Sequence, residues 1–117
     1  NQTIRSRMKE IEQVEIQIEM ANKLRKMRDN CVKLTESKPF KDVITEGYFK
    51  EEAARLVMAK SAPLKPEQMQ LIDNMILGVG ALQNFLNSIM RRGNDMDRAV
   101  HEAEATREDL LQEGANL

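Results

Sequence analysis

Residues 4–34 read IRSRMKEIEQVEIQIEMANKLRKMRDNCVKL, and the spacing of their apolar side chains decides the fold. Ile4, Met8, Ile11, Val14, Ile18, Ala21, Leu24, Met27, Cys31 and Leu34 follow one another at steps of three and four. Such steps hold side chains on one face of a helix, which turns once in about 3.6 residues. Neither Gly nor Pro interrupts the run. A helix from about Ile4 to about Leu34 would be about 45 Å long at ~1.5 Å per residue. A helix of that length lies along another long helix or projects beyond a globular body. The repeat resembles a coiled coil, with Val14, Ile16 and Met20 broadening the stripe beyond a two-position seam.

Downstream, Thr35 to Lys38 precede Pro39. Proline disfavours a helical residue before it and suits a first turn, so the chain breaks at Ser37 or Lys38 and a second helix starts near Pro39. Phe40, Val43, Ile44, Gly47 and Tyr48 lie on one side of it, and Phe49, Ala53, Leu56 and Val57 follow with a shifted phase. The shift predicts a bend or a close helix contact at Gly47, or two helices in place of one. The segment ends near Lys60. Ser61 to Pro66 is a linker, with Pro63 and Pro66 around Leu64. Pro66 suits the first position of a third helix, and Glu67 suits its positive end. That helix carries Met69, Ile72, Met75, Ile76, Val79, Leu82, Phe85, Leu86, Ile89 and Met90, the most apolar stretch and the expected centre of the core. Arg91 to Asp95 offers a stop, with Gly93 as cap, or else the helix runs through. Met96 to Glu113 is helix-prone but polar, and Gly114 to Leu117 is expected to fray.

The 117 residues, with 41% hydrophobic and 32% charged, fit one helical domain, 1–117, in which 1–34 projects and 96–117 is a polar tail. Good helix formers dominate, with only five Gly and three Pro. The fold class is therefore all-α: a long N-terminal helix, a central helical hairpin and a long C-terminal helix in an elongated helical bundle. Eight Met, three Phe, one Tyr and no Trp imply an aliphatic, adaptable core. Such a core suits helices that finish their burial against a partner subunit.

Chemistry finds little footing. Gly78-Val79-Gly80 lacks the strand and the Gly-Lys-Ser/Thr of a phosphate loop, and reads as helix packing. Glu10, Glu12, Glu15 and Glu19, and Glu102, Glu104, Glu108 and Asp109, lack the Glu-x-x-His pairs of a di-metal bundle, since three residues before the single histidine, His101, stands Arg98. Cys31, the one cysteine, sits on the apolar stripe and reads as an inert thiol. No cofactor, metal or catalytic residue is expected, and the chain is read as non-enzymatic. No apolar run nears the roughly 18 residues that cross a bilayer, the acidic tail has the wrong sign for anionic lipid, and no signal peptide opens the sequence.

Charge is uneven along the chain. Residues 1–60 hold 13 basic and 10 acidic side chains, a net of +3; residues 61–117 hold 5 and 9, a net of −4. The simplest account is attraction within the chain or between subunits. A sharper account takes Lys23, Arg25, Lys26, Arg28 and Lys33 as candidate phosphate contacts of a nucleic-acid-handling factor. The total charge of −1 and the few aromatics speak against it.

Two segments together resemble a known group. Pro39-Phe40-Lys41-Asp42-Val43-Ile44-Thr45-Glu46-Gly47-Tyr48-Phe49, continuing through Glu51-Glu52-Ala53-Ala54-Arg55-Leu56-Val57, is the first. Gly80-Ala81-Leu82-Gln83-Asn84-Phe85-Leu86, with the acidic helix after it, is the second. The pattern, over about residues 11–113, resembles a group of small helical proteins of tailed bacteriophages. The resemblance carries over no site residues. It implies a phage origin and a part in the virion or its assembly, placing the protein in the particle or the host cytoplasm. The resulting expectation is a structural or assembly protein that self-associates and binds another phage structural protein. Ile4, Met8, Ile11, Val14, Ile18, Leu24 and Met27 are the candidate self-association residues. The alternatives are an oligomeric factor for genome packaging or recombination, and an inhibitor of a host protein.

Overall fold

A computed structural model describes residues 2–115. The chain is all-α, and no strand occurs among the described residues. Helix α1 spans Gln2–Glu36. A middle arm, residues 38–59, joins α2 (Lys38–Phe40), a π-helical segment (Lys41–Glu52) and α3 (Ala53–Ala59). Helix α4 runs unbroken from Pro66 to Ala115, over 50 residues. Gly114 and Ala115, expected to fray, are still helical; Asn116 and Leu117 lie outside the described residues.

Local chemistry sets the breaks. Ser37 is extended, with φ −68° and ψ 145°. Its hydroxyl donates to the Leu34 carbonyl at 2.7 Å and accepts from the Phe40 N–H at 3.4 Å. One side chain thus satisfies an orphan acceptor of α1 and an orphan donor of α2. At the other break the Gln68 side chain reaches back to accept the Lys65 N–H at 3.0 Å, and Pro66 needs no donor in the first turn.

The phase change at Gly47 is a π-helix. Its i→i+5 hydrogen bonding puts between four and five residues in each turn. Phe40, Ile44, Tyr48 with Phe49, and Ala53 therefore come round to one partly buried side, while Val43 turns outward.

Two compact units divide the chain: residues up to Asn30 with those from Ile89 onward, and Cys31–Ser88. In the first, α1 and the later part of α4 run antiparallel. Arg7 meets Glu113 at 3.3 Å, and Arg28 donates to Asn94 at 3.2 Å. Ile18, Ala21 and Val100 form the buried cluster, with Val14, Met96 and Ala103 against it. The α1 seam is Ile11, Val14, Ile18, Ala21, Arg25 and Arg28, all buried or half-buried. Its steps of three and four alternate strictly, as a helix pair requires. Leu24 and Met27, assigned to the stripe by the sequence, follow two consecutive steps of three and rotate out of it; both are exposed.

The stop offered by Arg91 to Asp95 is absent; the alternative, a helix that runs through, is what occurs. Gly93 is buried in the seam. A Cβ there would collide with the Arg28 Cβ and lie 2.8 Å from its Cγ. The glycine therefore permits close approach of α1 rather than ending α4.

In the second unit, Leu56 of α3 is the most buried side chain, at 2% exposure, and Cys31, Val79 and Leu86 are buried as well. Lys60 pairs with Asp73 at 2.7 Å. The apolar stretch of α4, expected to be the core centre, is not the buried cluster. Its apolar residues surround the helix, so one face turns inward while Leu71, Leu77 and Phe85 stay more than half exposed.

Candidate functional site

Among the described residues no group of three His, Cys, Asp or Glu side chains gathers as a metal site would require. His101 is exposed on α4. The Cys31 thiol is buried, 4.0 Å from the Leu86 carbonyl oxygen. The arrangement with most to offer chemically is a charged and apolar surface on α1.

The basic cluster divides in two. Arg25 Nε donates to Asp97 Oδ1 at 2.9 Å, and Arg28 NH1 donates to Asp97 Oδ2 at 2.6 Å. Arg28 also pairs with Asp29 at 3.1 Å. The hydrogen bond from Arg28, followed by that from Arg25, holds the Asp97 carboxyl below its usual range despite some desolvation. The same contact raises Arg28. These two arginines replace apolar residues in the seam, and Asp97 of α4 answers both. Lys23, Lys26 and Lys33 remain exposed on α1. The five candidate phosphate contacts thus do not form one free patch.

The candidate self-association residues divide too. Ile18 is buried within this chain, and Ile11 and Val14 are half-buried in the same seam. Ile4, Met8, Leu24 and Met27 are exposed. A groove of about 640 Å³ opens beside the seam, lined by Met20, Ala21, Leu24, Met96, Ala99 and Ala103 with Gln17 and Lys23. Further round α1 stand Ile16 and, at the outer rim of that groove, Met20, at 56% and 63% exposure. The sequence marks both as broadening the stripe. Their separation from a second, outer row becomes legible only once the inner seam is aligned on Ile11, Val14, Ile18 and Ala21.

Among the described residues, no helix is long and apolar enough to cross a membrane. Comparison with protein-family models, with curated proteins and with solved structures finds no match.

Proposed function

We propose that this chain is a non-enzymatic structural or assembly protein of a bacteriophage, acting by helix-mediated self-association and by docking to a virion protein. The observation that carries the reading is apolar surface left uncovered along both long helices. Ile16, Met20 and Met27 on α1, and Leu71, Leu77 and Phe85 on α4, are each more than half exposed. Scattered exposed apolar residues are ordinary, but a row of them along one helix, as Ile16, Met20 and Met27 form on α1, marks a packing surface. The phage assignment rests on the resemblance of residues 39–57 and 80–86 and on no further feature.

The test is molar mass in solution by light scattering with size exclusion, at low and high salt. A discrete, salt-resistant oligomer supports self-association through apolar faces. A mass of 13.4 kDa at every concentration sinks it. Tracing the chain into purified particles, or finding it absent from them, separates a virion part from an assembly factor.

A further inference from the structure

From Arg5 onward α1 carries a charge at every seventh position, the last four being Glu12, Glu19, Lys26 and Lys33. All four are exposed, and none pairs with another described residue. Seven residues make two turns, so the four lie in one line along the helix. Beside that line runs the outer apolar row, Ile16, Met20 and Met27, with Lys23 completing its alternating spacing. The charges occupy the position flanking such a row, where charged contacts set the orientation of paired helices.

The order of signs is the informative part. From Glu12 to Lys33 two acids are followed by two bases, so that stretch is complementary to itself when reversed, while Arg5 falls opposite a position beyond the α1 end at Glu36. We infer that the outer face of α1 is the interface with a second copy of this chain, the two α1 helices running antiparallel. This rests on the self-association proposed above and specifies its face and direction. Glu12 then faces Lys33 of the second copy, and Glu19 faces Lys26. The two-fold axis repeats both contacts, because the same patch serves on each side. The register these pairs require also sets Ile16 opposite Met27 and lays Met20 against the alkyl stem of Lys23. Two separate sets of residues thus agree on one alignment.

A parallel pair has no such match. Each flanking charge would then meet the residue five places further along the other helix. Glu12 would meet Gln17, Glu19 would meet Leu24, and Lys26 would meet Cys31. Only Arg5 would find an opposite charge, in Glu10, and acid lies level with acid.

The test is sedimentation equilibrium on three charge variants. Glu12→Lys with Glu19→Lys makes these four positions all basic, and Lys26→Glu with Lys33→Glu makes them all acidic. Each turns four attractions into four repulsions. At ~1 kcal/mol of change per exposed contact, the dimer dissociation constant rises about a thousandfold. Both double variants should sediment at 13.4 kDa where the parent sediments at twice that mass. The quadruple variant should recover the dimer, since reversing every sign preserves complementarity only in the antiparallel arrangement. Circular dichroism should be unchanged throughout, as all four are exposed and form no ion pair or hydrogen bond with another described residue. Double variants that keep the parent mass overturn this interface and leave self-association standing. A quadruple variant that stays monomeric overturns the antiparallel direction. A parent that is monomeric at all concentrations overturns both this inference and the self-association reading.

Discussion

Replacing Gly93 with Ala should destabilise the protein, and replacing Gly80 with Ala should stabilise it. Both glycines lie inside α4, where alanine is favoured over glycine by about 1 kcal/mol. Position 80 has nothing within 4 Å of a new Cβ, so Gly80→Ala should realise the whole gain. At position 93 the new methyl would overlap the Arg28 Cβ and stand 2.8 Å from Cγ and 3.0 Å from Cδ. The Cβ is fixed to the α1 backbone and cannot swing away. The two helices must part, and overpacking of this kind costs typically about 1–3 kcal/mol, occasionally more. Parting them also stretches the Arg28 contacts to Asn94 and Asp97. The net effect for Gly93→Ala is a loss of about 1–2 kcal/mol, or roughly 4–8 °C in melting temperature for a chain of this size. Gly80→Ala should raise it by about 4 °C. Thermal unfolding followed by circular dichroism at 222 nm would read both (~222 nm being the helical band, tracking the helix content that both changes address). If Gly93→Ala melts at or above the parent while Gly80→Ala gains as expected, the close approach of α1 and α4 at Arg28 is wrong.

Other residues give further checks. Leu56→Ala should cost about 2–5 kcal/mol, as a nearly fully buried leucine, whereas Leu77→Ala should stay within about 0.5 kcal/mol; equal losses in denaturant titrations would contradict the packing of the middle arm. Asp97→Asn should lower the melting temperature at neutral pH. Because folding lowers the Asp97 pKa, its contribution is present above the ordinary carboxylate value and is lost as pH falls through the folded value; a deficit that persists undiminished at about pH 2 would refute the ion-pair account. Cys31 should react with a thiol reagent only as the protein opens, so a native-state rate matching that of free thiol would show that its burial is wrong.

Most of the helical framework was legible. The seam from Ile11 to Ala21, the break at Ser37 and the start at Pro66 each follow from a local rule that nothing elsewhere in the fold opposes. The rest depended on partners distant in sequence. Gly93 beside Arg91 and Arg92 has the composition of a helix end, and only the proximity of Arg28 gives it a different purpose. Arg25 and Arg28 looked like free cations because Asp97 is far along the chain. The same blindness assigned Leu24 and Met27 to the inner stripe: apolar character outvoted register, and charged residues occupy the true seam. At the middle arm, a phase shift was visible, but a wider helical turn and a bend leave similar marks on so short a pattern.

The pairing of Arg7 with Glu113 has a consequence for how the protein is made. Helix α1 leaves the ribosome well before the part of α4 that covers it. At about 10 residues per second, the Ile11–Ala21 seam waits on the order of several seconds for its cover. During that interval neighbouring nascent chains on one message present the same open seam to each other. Closing the native pair also requires the loop between the two segments to close, which makes it slow for a helical protein. Translation speed, and chaperones that hold α1 in the meantime, therefore bear directly on the yield of correctly folded chain.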